Sequence, residues 1–141
     1  MSDELSKERY EALAEFRYQL RRFQRFSEAS ARAIDLEPQQ HQLMLAIKGS
    51  PQGSLTVGEV ADRLQIQHHS AVELVARAEK RGLVTRRRGQ TDRRQVFVTL
   101  TQTGAEALGE LSSAHHRELQ TAAPELIRIL QRIIADDLSG E

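Results

Sequence analysis

Apolar residues recur at helical spacing over most of this chain and alternate over one short stretch. Leu13, Phe16, Leu20 and Phe23 stand at steps of three and four, and Phe26 and Ile34 roughly continue the stripe. Leu5 to about Ala33 is therefore predicted as one long helix, uninterrupted by Gly or Pro. Pro38 suits the first turn of a second helix, with Leu43, Met44 and Ile47 on its apolar side and Gly49 at its end. Gly49 to Ser54 reads as a loop. Thr56 and Glu59 form a capping box for a third helix, whose buried side is Val57, Val60, Ala61 and Leu64. Ile66 is expected to plug the angle before a fourth helix, which starts near Gln67 or His68 and turns Ala71, Leu74, Val75 and Ala78 inward. Gly82 caps it.

The period then changes. Leu83 to Arg87 and Gln95 to Leu100 have strand character, with Val96, Val98 and Leu100 alternating against Phe97 and Thr99. The seven residues between them are too many for a tight turn, so a long, mobile, charged hairpin tip is expected. Thr101 caps a fifth helix carrying Ala105, Leu108, Leu111 and Leu119. Pro124 is read as the start of a sixth, with Leu126, Ile127, Ile129, Leu130, Ile133 and Ile134. Asp136 to Glu141 is expected to be an acidic, frayed tail.

This order is a helix, a tight turn, a helix and an arginine-tipped hairpin. The fold class is mainly α (α+β): a winged helix-turn-helix with flanking dimerisation helices, six helices in all, and a small β-hairpin wing. The expected divisions are an N-terminal dimerisation helix over 1–36, a DNA-binding lobe over 37–100 and C-terminal dimerisation helices over 101–141. The first and last helices carry more apolar surface than their own chain can cover. A second copy is the expected cover, with Leu13, Leu126, Ile127, Leu130 and Ile134 at the interface.

Composition narrows the chemistry. The chain has 20 basic and 20 acidic residues, but Arg77 to Arg94 holds eight Lys/Arg against two Asp/Glu. A neutral chain with one basic segment has a directed electrostatic face, and its place on a recognition-type helix and hairpin tip favours double-stranded DNA. There is no cysteine, which excludes disulfides and thiolate chemistry and suits a cytoplasmic protein. Apolar runs are too short to span a bilayer, so no membrane partner is expected. Met1 to Glu4 is polar and acidic, so no signal peptide is expected.

A helix fits the major groove with its N-terminal residues deepest. That nominates Gln67, His68, His69, Ser70, Glu73 and Arg77. Glu73 could accept from a cytosine amino group, orient Arg77, or simply pair with Arg77 one turn on. His68 and His69 are neighbours and diverge by about 100°, so one base or one metal cannot take both. On the wing, Arg93 and Arg94 can reach phosphates or a narrow minor groove. Arg86, Arg87 and Arg88 flank the stem, where about half are expected to be solvated charge, and Arg86 and Arg88 are the candidates for DNA contact.

Three stretches carry a resemblance. They are Leu55-Thr56-Val57-Gly58-Glu59-Val60-Ala61-Asp62-Arg63-Leu64, then Glu79-Lys80-Arg81-Gly82-Leu83-Val84, then Asp92-Arg93-Arg94 followed by Val96 to Leu100-Thr101 and Gly104. In these the sequence resembles the MarR family of bacterial transcription regulators. The resemblance implies a homodimer on pseudo-palindromic DNA, with the first, fifth and sixth helices interlocked. By the family's Asp-x-Arg pattern it assigns Arg94 to the groove and Asp92 to steering an arginine. It also implies a pocket between the dimerisation helices and the lobe for a small aromatic or anionic effector, for which Phe16, Phe23 and His41 are candidates. Three residues depart from the family pattern: Glu73 where a basic or polar DNA-facing residue is common, Ala78 where a larger apolar one is usual, and Glu37 in place of a Thr cap.

A repressor is the expected role. The alternatives are a metal-responsive regulator of the same fold and a winged-helix protein-interaction module. An enzyme is disfavoured by the absence of nucleophile-elbow, phosphate-loop, dinucleotide and zinc-protease motifs. No cofactor or metal is expected. His41, His115 and His116 are the histidines outside the DNA face, and without cysteine a closed zinc site is disfavoured.

Overall fold

The computed structural model describes residues 4–139, with side chains described as far as residue 135. Met1 to Asp3, most of the stretch behind the signal-peptide expectation, lie outside the described residues, as do Gly140, Glu141 and the side chains of the acidic tail. The elements are α1 (Lys7–Ala33), α2 (Pro38–Lys48), β1 (Ser54–Thr56), α3 (Val57–Leu64), α4 (His68–Lys80), β2 (Val84–Arg88), β3 (Val96–Leu100) and α5 (Gln102–Ser139).

Two expectations need correcting. There are five helices among the described residues, because α5 runs unbroken through Pro124. A proline inside a helix removes one backbone donor and crowds the preceding turn. Ala122 and Ala123, strong helix formers, lie directly before it and favour continuation. The second correction is in the loop read over Gly49 to Ser54, which passes into a strand. β1 pairs antiparallel with β3, setting Leu55 opposite Val98, and the sheet order is β1-β3-β2.

The chain divides into two compact units, one comprising Ser30–Ser113 and the other the segments before and after it. The first of these holds the core of a small lobe. Leu43, Met44 and Ile47 of α2 pack with Val60 of α3, with Leu74 and Val75 of α4, and with Val98 of β3, all fully buried. Val57, Ala61, Leu64 and Ile66 are half-buried against that cluster, so Ile66 does close the angle of the turn.

Local chemistry fixes the corners. At the start of α3 the Thr56 hydroxyl accepts from the Glu59 amide at 3.1 Å, and the Glu59 carboxylate accepts from the Thr56 amide at 3.0 Å. Those bonds, the Thr56 amide's first, hold the Glu59 carboxyl below the ordinary glutamate value. Gln65 ends α3 in the left-handed region at φ 54°, and its side-chain amide donates to the Asp62 carbonyl at 2.7 Å. Gly82 takes φ 75° after α4, while the Leu83 amide donates back to the Ala78 carbonyl at 3.0 Å. At Gly104 an added Cβ would lie 2.1 Å from the Leu83 carbonyl oxygen, so only glycine admits this approach. The Gly104 amide in turn donates to the Thr101 hydroxyl at 3.0 Å, which starts α5. The Leu-Thr-x-x-Gly pattern is thus a cap plus a close backbone crossing.

The other unit is helical. Its buried positions include Ala12, Ser27, His115 and Ile129. Phe16, Phe23 and Phe26 are half-buried, whereas Leu13 and Leu20 of the predicted stripe are exposed. Ile127, Leu130 and Ile134 are exposed too, at 53%, 44% and 61%, while Leu126 is half-buried. An apolar surface therefore remains open on a single chain.

Candidate nucleic-acid interface

α4 presents a core face, an opposite ridge and two flanks, set by steps of three and four. Ala71, Leu74, Val75 and Ala78 face the core. Opposite them His69, Glu73, Ala76 and Lys80 form an exposed ridge. The flanks between are tied to neighbouring elements.

On one flank Arg77 and Arg81, one turn apart, bind the start of α2. Arg77 Nε donates to the Glu37 carboxylate at 3.2 Å, and Arg81 Nη1 donates to the buried Gln40 side-chain carbonyl at 3.1 Å. That carbonyl also accepts from the Glu37 amide at 3.1 Å. Arg77 therefore pairs with Glu37 and not with Glu73. Glu37, where a Thr cap was expected, supplies a carboxylate to α4. Ser70 lies half-buried on the same flank.

On the other flank stand His68, Val72 and Glu79. Glu79 Oε1 accepts from Arg86 Nε at 3.0 Å and from Nη2 at 2.8 Å, and its Oε2 accepts from the Arg86 amide at 3.2 Å. The side-chain bonds to Arg86 hold the Glu79 carboxyl below its ordinary value. This one residue fastens the stem of the wing to α4. Between them lies an open depression of about 380 Å³, which His68, Val72, Arg86, Arg94 and Val96 help to line.

The wing tip, Gly89 to Gln95, is folded on itself. The Gly89 amide donates to the Gln95 carbonyl at 2.9 Å, and the Gln95 amide donates to the Asp92 carbonyl at 3.2 Å. Arg88 Nη1 donates to the Arg93 carbonyl at 3.1 Å. Gly89 is needed there, since a Cβ would meet the Asp92 carbonyl oxygen at 2.6 Å. Asp92 Oδ1 accepts from the Arg94 amide at 3.0 Å and from Arg94 Nε at 3.3 Å. The Arg94 side chain is otherwise in solvent, 93% exposed. Lys80, Arg87 and Arg93 have no ionic partner among the described residues.

Gln67, His68, His69 and Glu73 are exposed at the start of α4, where His68 shares a depression with Arg86 and Arg94 of the wing, while Arg88, Asp92 and Arg93 belong to the wing's stem and tip. The three effector candidates do not share a unit. Phe16 and Phe23 are half-buried in the helical unit, where Phe23 helps line a depression of about 360 Å³. His41 belongs to the lobe and is buried, at 2% exposure. One feature escaped sequence reasoning. His115 Nε2 lies 2.8 Å from the Ser27 hydroxyl, with Phe23 and Phe26 edge-on to its ring. Its sequence neighbour His116 obscured the difference, since only burial separates them. Among the described residues no three His, Cys, Asp or Glu side chains converge as a metal site, and no helix is long and apolar enough to cross a membrane.

Residues 34–95, which hold α2, α3, α4 and the wing as far as Gln95, match the model of the MarR family. Through this segment the chain is similar to the MarR family. A MarR-type protein of Bacillus subtilis, the organic hydroperoxide resistance transcriptional regulator, is 35% identical over 52 residues. That match covers 37% of this chain and spans about a third of the relative, 35% of its length. Solved MarR-family structures share the fold across nearly the whole chain. AbsC of Streptomyces coelicolor superposes with a TM-score of 0.77 at 20% identity, covering 99% of this chain and 100% of that one. A second S. coelicolor MarR-family regulator, solved in complex with DNA, gives 0.76 at 22% identity, covering 99% and 91%. A mutant MarR of E. coli, solved with operator DNA, gives 0.68 at 19% identity, covering 86% and 89%.

Proposed function

We propose that this chain is a sequence-specific, DNA-binding transcription regulator that acts as a homodimer on a pseudo-palindromic operator. The observation that carries this reading is the exposed strip His69–Glu73–Ala76–Lys80 lying beside a wing whose Arg94, 93% exposed, is held by Asp92. A polar helical ridge suits the major groove. A planar, weakly hydrated guanidinium on an adjoining tip suits a narrow, electronegative minor groove. Two curated or solved relatives are described as regulators with DNA or resistance roles, which supports the same assignment.

The dimer rests on the exposed apolar residues Leu13, Ile127, Leu130 and Ile134. Repression, and release by a small aromatic or anionic effector, rest on the resemblance to the MarR family alone. The test is selection of bound sequences from random DNA. A two-fold symmetric motif, with half-sites about one helical turn or a multiple of it apart, is the expected outcome. Recovery of unselected DNA would overturn the reading.

A further inference from the structure

Among the described residues, Val72 is the one large apolar side chain exposed on α4. It is 41% exposed, on a helix whose other outward positions around it are His68, His69, Glu73 and Ala76. A β-branched residue loses side-chain freedom in a helix. Left in water, its methyl groups return little of that cost. Its position is informative. It stands one turn after His68, on the side of the ridge that faces the wing, at the edge of the depression it shares with Arg86 and Arg94. A helix laid in the major groove with its wing toward the neighbouring minor groove carries this edge along the base pairs on the wing side.

Valine has no donor or acceptor and cannot read the polar code of the groove. The one apolar feature that a standard base pair shows there is the 5-methyl group of thymine. We propose that Val72 is a specificity-determining residue that reads a thymine methyl in each half-site. The inference rests on the DNA-binding role proposed above and assigns one base within it. The competing role is packing alone: Val57, Val75 and Val96 line the same depression, and Val72 could serve only to support the wing.

The experiment uses the full chain and its selected operator. Each thymine is replaced in turn by deoxyuridine, which keeps base pairing and deletes only the methyl group. For the parent protein, one thymine per half-site should be sensitive, with affinity falling about fourfold, the worth of one buried methyl group. Val72→Ala should bind the thymine and uracil operators equally at that position. Alanine is the better helix former, and a thermal melt checks that the variant is folded. The uracil scan of the parent needs no variant at all. An operator with no sensitive thymine overturns the inference. So does a loss that persists unchanged in Val72→Ala, since another residue would then read the methyl. Both results leave sequence selection intact, so they are distinct from failure of the DNA-binding role, in which no operator is selected.

Discussion

Glu79 and Arg86 join α4 to the wing through a single carboxylate, which accepts from Nε, Nη2 and the backbone amide of the arginine. The pair is partly exposed, 36% and 41%, so its worth to global stability is small. Its consequence is geometric. Helix and wing are held as one surface, so under the proposed function its order is present before DNA arrives.

Glu79→Gln should therefore loosen the wing without unfolding the lobe. Amide exchange in β2 and β3 should quicken, and operator affinity should fall by up to about fivefold. The pH dependence follows from the depressed carboxyl of Glu79. Its stabilising contribution is fully present above the ordinary glutamate value of 4.5 and is lost as pH falls through the lower folded value. The stability difference between parent and Glu79→Gln should be flat near neutrality and vanish on the acid side. Unchanged wing exchange would show that the pair does not order the wing.

Gly104→Ala tests the close crossing at the start of α5. The added Cβ would sit 2.1 Å from the Leu83 carbonyl oxygen, and backbone cannot yield as a flexible side chain can. A loss of roughly 1–3 kcal/mol in denaturant unfolding is expected. Gly109→Ala, where a Cβ meets nothing within 4 Å, is the control and should be neutral or stabilising.

Much of this was legible because it is local. The Thr56–Glu59 box, the inward set Ala71, Leu74, Val75 and Ala78, the Gly82 turn and the strand alternation around Val98 all follow from spacing within one element. β1 was not legible, because three residues after a Gly-Pro-Ser loop are too few to show a period, and only pairing with β3 defines the strand. The continuity of α5 past Pro124 was missed because a proline suits a helix start and is costly inside a helix, so spacing alone favours the wrong reading. The partners of Arg77 and Arg86, both candidates for DNA contact, are invisible to periodicity, which offered Arg77 only Glu73. Glu37 is 40 residues from Arg77 in the chain, and Glu79 meets Arg86 only when the stem folds back.

Dimerisation has its own test. Leu130 is 44% exposed on a single chain, so Leu130→Glu should leave the lobe folded and reduce the solution mass from two copies to one. Light scattering reads this directly. A dimer of undiminished stability would move the interface elsewhere.

Asp92→Asn should separate aiming from charge. The amide keeps an oxygen for the Arg94 backbone amide but loses the carboxylate that draws in Nε. Affinity should fall by less than for Arg94→Ala, with the same preferred operator. A loss larger than that of Arg94→Ala would mean that Asp92 chiefly maintains the tip's fold.

Under the proposed function α4 and the wing grip DNA together, with the exposed Arg94 among the wing contacts. Operator affinity across a salt series, for the parent, Arg94→Ala and the exposed Arg17→Ala outside the lobe, tests it most directly. Arg94→Ala should weaken binding by roughly 1–3 kcal/mol. If its contact is to phosphate, the log–log salt slope should also become shallower by about one unit. Arg17→Ala should match the parent. Equal affinity of parent and Arg94→Ala at every salt concentration would contradict the account and leave the wing a solvated basic face.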